Sequence, residues 1–507
     1  MKLSILLWLF ALIGMAPGSR AAESYRFRVY LKDKGQAGYT IDKPEDFLSE
    51  KAIRRRVRQG RPIDSTDLPI APAYLDTLAA AGARPVVQSK WFATVVVAAA
   101  DSLVAERLAR LSIVDSVKWV WKGEWEADPS STGTDPYVGG VVCSEPAVSA
   151  ASAASPASAA CAEETVAPSD AATDPEAPEP EETRFYPADA PSALEYGYAD
   201  DQIRMLNGIK LHRAGFRGEG MVVAVIDAGF MHVDRIGVFD SLKIAGTHNV
   251  VFPGETVFAG DDHGTKVLSC LAADRPGIMI GTAPEASYWL IKSEDSRSEF
   301  PVEEDYWTAA VEFADSVGAD VVSSSLGYFT FDAEALAYSP AALDGQTTLI
   351  SRAAERAAGK GILLFSSAGN EGAGAWGKIT FPGDAPGILT VGAIDDRKRK
   401  SSFSSVGFTA DGRVKPDVVA LGSGCCVIDP SGNVHYANGT SFATPILAGL
   451  GVCLWQAFPA LSNAEIVDLL RRGGSQSKRP DAELGYGLPD VYKIYKQQRK
   501  NGARHHQ

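Results

Sequence analysis

Apolar residues recur along this chain in two spacings, and together they predict its main domain. Continuous apolar runs predict buried parallel strands at residues 221–226, 288–291, 321–324, 361–366 and 387–392. Stretches with helical spacing, such as residues 302–317 and 348–358, lie between these runs. Because parallel strands need crossover connections, this alternation predicts an α/β domain with a parallel sheet and flanking helices. We assign this domain to residues 184–507.

A smaller unit precedes it, at residues 23–126. Between Tyr25 and Leu31 apolar residues alternate with mostly polar ones, as in a half-buried strand. Further helices and strands are predicted in alternation at residues 44–59, 91–97, 102–111 and 114–121, the first starting at Pro44. This order predicts a small α+β domain.

Two other segments differ from both domains in composition. Residues 1–22 combine a charged start, an apolar run and small residues suitable for cleavage, which is typical of a secretory signal peptide. The apolar run is shorter than the about 20 residues that a spanning helix needs. No later stretch is predicted to cross a membrane. We therefore expect an exported protein, secreted or periplasmic.

Residues 127–183 are rich in Ala, Ser, Pro, Glu and Thr. They offer too little apolar surface to offset chain ordering, so we predict a disordered linker. An exposed linker is an obvious cleavage target. We expect maturation to cut here and to leave a domain that begins between residues 184 and 196.

Charge and cysteine content indicate which binding partners and which covalent links the protein can have. A formal net charge of -14 argues against nucleic acid as a partner. Within the helix predicted at residues 44–59, the run from Arg54 to Arg56 is expected to form a solvated face. Six cysteines in an exported protein permit disulfides, but the sequence does not select the pairs. Cys143 and Cys161 lie in the linker. Cys425 and Cys426 are adjacent and expected to face different partners, and Cys270 and Cys453 are expected to be buried in helices.

Three separate motifs carry side chains suited to nucleophilic catalysis. Asp227 ends an apolar strand, and catalytic groups in α/β sheets gather at such carboxyl ends. His263 follows Asp262 at the start of a predicted helix. Ser441 stands among small residues before another apolar run, where helix N–H groups are free. A serine needs an imidazole base, and the base needs an orienting carboxylate.

The segment from Gly439 to Pro445 and the motif His263-Gly264-Thr265 resemble those of the subtilisin-like serine proteases, or subtilases. The order Asp, His, Ser is also that of subtilisin. Asp227-Ala228-Gly229 departs slightly, because the family usually has Ser or Thr before the glycine. The resemblance covers about residues 196–495 and implies a subtilisin-like parallel sheet. It also implies a serine endopeptidase with Asp227, His263 and Ser441 as its catalytic triad.

Further roles are implied by the same resemblance. Asn370 would donate to the oxyanion together with the Ser441 N–H. Ser325, Leu326 and Gly327 would form the edge that pairs with an extended substrate. The N-terminal unit would be an inhibitory propeptide domain of ferredoxin-like fold, so the expected partners are protein or peptide substrates and the chain's own propeptide. No cofactor or metal is required for this chemistry, and structural calcium stays open.

Two alternatives use the same residues differently. A metal hydrolase could use Asp227, His232, Asp234 and His263 as ligands, although their spacings match no familiar ligand pair and leave the Ser441 motif unexplained. A protein of the same fold could instead work in binding or assembly, with vestigial catalysis. Ser441 could then be a helix N-cap and Asn370 a turn residue.

Overall fold

The computed structural model describes residues 23–124 and 184–505. The predicted signal peptide and the whole predicted linker, with Cys143 and Cys161, lie outside the described residues. We call residues 23–124 the N-terminal domain and residues 184–505 the larger domain.

A parallel sheet forms the centre of the larger domain. Across the described residues it has seven strands, and each neighbouring pair is parallel. In spatial order the strands are Val418–Leu421, Leu389–Ile394, Leu363–Ser367, Val321–Ser324, Val222–Asp227, Ser287–Lys292 and Lys243–Asn249. The α/β prediction is confirmed, and each predicted strand lies within two residues of an observed one.

Both faces of this sheet are covered, which explains the continuous apolar runs. In the strand Val222–Asp227, Val223 and Val225 belong to one buried cluster, whereas Ala224 and Ile226 belong to the other. Successive side chains of a strand point to opposite faces, so a strand covered on both sides has no polar positions. The edge strand Lys243–Asn249 is largely exposed and polar. It therefore has no apolar run from which to predict it.

Helices and short elements complete the larger domain. Its α-helices are Asp200–Arg204, Gly208–His212, His263–Ala272, Val302–Ser316, Leu349–Gly359, Thr440–Ala457, Asn463–Arg472 and Val491–His505. Its short elements are the ladders Asp274–Arg275 with Met279–Ile280 and Gly407–Phe408 with Val414–Lys415, the hairpin Cys425–Ile428 with Val434–Ala437, and the 3-10 turns Gly237–Phe239, Glu334–Leu336 and Pro340–Ala342.

The helix Thr440–Ala457 is long and apolar enough to cross a membrane by composition alone. However, 89% of it is buried inside the protein. A helix that is apolar all round is expected at the centre of a large domain. This helix therefore belongs to the core of the larger domain. The four described cysteines are also buried, as free thiols.

The N-terminal domain is a four-stranded antiparallel sheet with helices. Its strands lie in the order Arg84–Ser89, Thr94–Ala99, Glu23–Leu31 and Val114–Glu124, which is the ferredoxin-like order. Its helices are Glu50–Arg58, Pro72–Ala80 and Val104–Ala109, with 3-10 turns at Pro44–Asp46 and Ser65–Asp67. The α+β prediction is confirmed.

Several predicted bounds in this domain were wrong. The segment 44–59 is not one helix, because Ser49 accepts a hydrogen bond from the Ala52 N–H and caps a separate helix, Glu50–Arg58. The strand predicted at residues 91–97 begins at Thr94 instead. The helix Pro72–Ala80 and the strand Arg84–Ser89 had not been predicted.

Buried charges join the two domains. Arg28 forms a bidentate ion pair with Asp305, in which both N–O distances are 2.6 Å. Arg56 Nη2 lies 2.6 Å from Asp315 Oδ2. All four of these side chains are at most 4% exposed. Such pairs keep their attraction because little water screens them, and breaking one leaves an uncompensated charge.

The run from Arg54 to Arg56 was predicted to be solvated, and this is wrong for two of its members. Arg54 is 63% exposed and pairs with Glu50 on its own helix. Arg55 and Arg56 are buried and both reach Asp315, while Arg55 also donates to the Ala319 carbonyl. The partner carboxylate lies about 260 residues away in the sequence, so a local pattern could not indicate it.

The neighbouring residues Arg54 and Arg55 provide a matched test of how the two domains are held together. Arg55→Ala in the uncleaved Ser441→Ala chain is expected to destabilise the docked domains by about 3–5 kcal/mol, because Asp315 loses a buried partner. Arg54→Ala is expected to change stability by no more than about 0.5 kcal/mol. Guanidinium unfolding of the full chain measures both. Equal effects would show that the buried pairs do not hold the domains together.

Candidate active site

The site is organised around the contact between Asp227 and His263. Asp227 ends the strand Val222–Asp227 and is fully buried. Its Oδ1 accepts hydrogen bonds from His263 Nδ1, at 2.6 Å, and from the Ala228 N–H, at 2.8 Å. A carboxylate has no proton to donate, so His263 Nδ1 carries the proton and Nε2 is left as the free acceptor.

The local backbone allows the histidine to approach this closely. His263 begins the helix His263–Ala272, and its N–H donates to Asp261 Oδ1 at 2.8 Å. A Cβ on Gly264 would lie 2.4 Å from the Gly229 carbonyl oxygen and 3.0 Å from Asp227 Cβ. Only glycine therefore lets this helix start directly against the end of the strand.

The carboxylates determine the protonation of His263. Burial lowers the pKa of the imidazole, but the attraction and hydrogen bond of Asp227, with a further contribution from Asp261, outweigh burial and raise the pKa above 6.5. His212 and His248 show burial without such a partner, and the pKa of each falls to about 4. The contrast identifies the buried carboxylate as the group that stabilises the imidazolium.

Ala228 leaves one carboxylate oxygen of Asp227 without a donor. Asp227 Oδ2 is buried and accepts no hydrogen bond from any residue that the structure describes. The hydroxyl of the family's usual Ser or Thr is missing at position 228, where this chain contributes only its N–H.

Ser441 lies in the cleft that His263 also lines. It is the second residue of the helix Thr440–Ala457, where N–H groups have no acceptor within the helix. The ring of its neighbour Phe442 is centred 6.0 Å from the His263 ring. Ser441 Oγ donates to the Ser325 carbonyl at 3.3 Å rather than to His263. Catalytic hydrogen bonds often tighten only when substrate binds.

Ser325 holds the start of this helix. Pro445 has no N–H, so the Ser441 carbonyl four residues earlier lacks its helical donor. Ser325 Oγ supplies a hydrogen bond to that carbonyl at 2.8 Å. The Ser325 hydroxyl is thus engaged with the helix, and this role was not predicted. Of the segment 325–327, only the backbone and the Leu326 side chain are left to contact an extended ligand.

Gly327 also has a packing reason to be glycine. A Cβ there would lie 2.2 Å from Thr380 Oγ1. Ser325, Leu326 and Gly327 all line the same cleft, as does Asn370. The structure therefore brings these residues, His263 and Ser441 to one cavity of about 650 Å³. Asp227 does not line this cavity; it is fully buried and contacts it through His263.

The amide of Asn370 is oriented by Thr440. Its Oδ1 accepts hydrogen bonds from the Thr440 N–H at 2.9 Å and from Thr440 Oγ1 at 3.0 Å. Because a backbone N–H can only donate, the amide oxygen must face Thr440, which leaves Nδ2 as the donor on the exposed side. The role of Thr440 had not been predicted, although it adjoins Ser441 in the same motif.

His232, one of the side chains considered for a metal site, is engaged elsewhere. His232 Nδ1 contacts the Pro430 carbonyl oxygen at 2.9 Å, and its ring stacks on Phe185 at 5.0 Å. Within residues 23–124 and 184–505, no group of three His, Cys, Asp or Glu side chains is placed to hold a metal ion.

Comparison with known proteins assigns the family. Residues 218–487, more than half of the chain, match the model described as the subtilase family of S8 peptidases. The chain belongs to the subtilase family. Residues 26–134 match a second model, described as the S8 propeptide domain of Bacteroidota. The resemblance stated from the motifs is therefore confirmed.

Individual subtilases are similar over the same region. Subtilisin NAT of Bacillus subtilis subsp. natto is 31% identical over 275 residues, which are 53% of this chain and 64% of that protein. Subtilisin of Bacillus pumilus is 30% identical over 275 residues and is covered to 88%. The structure of the serine protease MycP1 of a type VII secretion system matches 62% of this chain and 96% of that one, with 19% identity and a TM-score of 0.47.

Proposed function

We propose that this chain is an exported serine endopeptidase in which Ser441 is the nucleophile, His263 the general base and Asp227 its orienting acid. The observation that carries the proposal is the 2.6 Å contact between a fully buried carboxylate and His263 Nδ1. This contact leaves Nε2 to take the serine proton. Family membership supports peptide bonds as the substrate.

The expected reaction follows from these positions. His263 Nε2 accepts the proton of Ser441 Oγ as the oxygen attacks the carbonyl carbon of the peptide bond. The imidazolium that forms is stabilised by Asp227 and then gives its proton to the leaving amine. Water repeats the sequence on the acyl-enzyme and releases the second product.

Two donors are available for the oxyanion. Asn370 Nδ2 is the free end of an amide whose oxygen is held by Thr440. The Ser441 N–H lies in the first turn of the helix Thr440–Ala457, at the positive end of its dipole. Donors fixed in advance stabilise developing charge without reorganising, and losing one costs about 10²–10³-fold in turnover.

We further propose that residues 23–126 inhibit the peptidase domain, which spans residues 184–507, until the connecting residues 127–183 are cut. The propeptide match supports this role. So does the position of the last N-terminal strand, where Trp121 Nε1 donates to Ser298 Oγ, at 3.1 Å, on the rim of the cleft. The last strand of the N-terminal domain therefore ends next to the active-site cleft.

N-terminal sequencing of the secreted form tests the maturation step. Phe185 is bound to the larger domain by its N–H to the Arg235 carbonyl and by its carbonyl to the Gly237 N–H. We therefore expect the cut within residues 127–183 to leave Phe185 on the mature chain. That chain then begins no later than residue 185, at the early end of the range 184–196 expected from the sequence or before it. An active enzyme that still begins near residue 23 would contradict the proposed maturation.

Labelling with a fluorophosphonate probe tests the catalytic role. The processed protein is expected to react, and Ser441→Ala and His263→Ala are expected to abolish labelling. Ser431→Ala changes an exposed serine outside the cleft and serves as the matched control. A processed protein that is not labelled would contradict the proposal and favour a binding protein of this fold.

A further inference from the structure

The cleft beside Ser441 is strongly acidic. Seven of the described residues that line it are Asp or Glu, whereas Arg297 is the single Lys or Arg among them. That arginine already contacts Asp295, with its Nε 2.8 Å from Oδ1 and its Nη2 3.0 Å from Oδ2. The other six acids therefore have no Lys or Arg partner within the described lining.

Three of these acids, Glu294, Glu299 and Glu303, form a group that we call the glutamate cluster. Glu294 accepts a hydrogen bond from the Tyr328 hydroxyl. Glu303 is 1% exposed, and its Oε2 accepts no hydrogen bond from any described residue. A buried polar atom without a partner costs free energy, so it marks a place where a ligand group would be stabilised.

The members of the cluster also disfavour one another's charge. Burial first, and then Glu294 and Glu299, raise the pKa of Glu303 to about 11. Burial and then Asp332 raise the pKa of Glu299 to about 7, and burial raises the pKa of Glu294 well above its usual value. A cation placed among them would stabilise the ionised forms.

The cluster lies along the expected substrate edge. Tyr328, which contacts Glu294, is three residues beyond Ser325, and at about 3.3 Å per residue this is about 10 Å along an extended chain. A substrate strand paired with this edge would bring a side chain two to four residues from its scissile bond to the cluster. Since the described residues offer no three-ligand metal geometry, a long cationic side chain is the better fit.

We propose that the glutamate cluster is a specificity subsite that binds an Arg or Lys side chain of the substrate, two to four residues from the scissile bond. The guanidinium or ammonium group would donate to Glu303 Oε2 and to Glu294. A planar guanidinium can reach two carboxylates at once, so Arg is preferred over Lys. This inference rests on the proposed peptidase function.

Matched peptides test the subsite. The full chain is allowed to mature, and kcat/KM is measured on fluorogenic peptides that carry either Arg or its uncharged isostere citrulline at one position each. Arg is expected to raise kcat/KM roughly 10–100-fold at one position, the range for a hydrogen bond to a charged group. Glu303→Gln is expected to bring the Arg-to-citrulline ratio at that position close to one.

Controls separate the subsite from general attraction. Glu219→Gln makes the same substitution at an exposed position outside the cleft and should leave the ratio unchanged. If Glu303→Gln is not secreted, Glu294→Gln is measured in its place. Equal gains from Arg at every position, or an unchanged ratio in the cluster variant, would overturn the subsite. Failure to cleave any peptide or to react with fluorophosphonate would instead contradict the peptidase function itself.

Discussion

The hydrogen bond between Asp227 and His263 is the interaction on which the rest of the site depends. A fully buried carboxylate is costly unless it is paired, and here its partners are one imidazole and one backbone N–H. The strand Val222–Asp227, which lies inside the sheet, places the acid at the carboxyl end of the strands. Gly264 then lets a helix begin against it, and Asp261 holds the first N–H of that helix. The nucleophile Ser441 lies on a different element, at the start of the core helix Thr440–Ala457.

The same helix shows how the motif around Ser441 acts as a unit. Thr440 fixes the Asn370 amide, and Ser441 provides the nucleophile and an N–H. Because Pro445 has no N–H, the Ser441 carbonyl lacks its helical hydrogen bond. The hydroxyl of Ser325, which directly follows the strand Val321–Ser324, donates one instead. Two residues that are distant in the sequence, Asn370 and Ser325, are therefore tied to the first turn of this helix. A shift of that turn would disturb the nucleophile, the oxyanion donor and the substrate edge together.

Docking of the N-terminal domain reaches the same cleft from another side. The helix Val302–Ser316 presents Asp305, Glu312 and Asp315 to that domain, and its second residue is Glu303 of the glutamate cluster. One helix thus contributes to the domain interface, by buried charge, and to the cleft. Release of the N-terminal domain would expose the interface carboxylates while the cluster keeps its place beside Tyr328.

The sequence predicted the parallel sheet because strands covered on both faces contain continuous apolar runs. Resemblance to the subtilases indicated Asp227, His263, Ser441 and Asn370. The structure brings the last three to one cleft and buries Asp227 in contact with His263. Features that depend on distant partners were not predictable. Arg55 and Arg56 looked solvated because Asp315 lies far along the chain, and the hydroxyl of Ser325 gave no sign that it would replace the missing N–H of Pro445. The helix predicted at residues 44–59 failed because Ser49 was not recognised as a cap.

Titration of the His263 ring by NMR in the uncleaved Ser441→Ala chain tests the Asp227–His263 interaction most directly. A raised pKa means that the attraction for the imidazolium is present at low pH and is lost as the pH rises through that pKa. The account predicts a His263 pKa above 6.5, and a fall below 6.5 in Asp227→Asn, where burial acts without the carboxylate. His212, with a pKa of about 4, should not respond. A His263 pKa at or below 6.5, or one that Asp227→Asn leaves unchanged, would contradict the account.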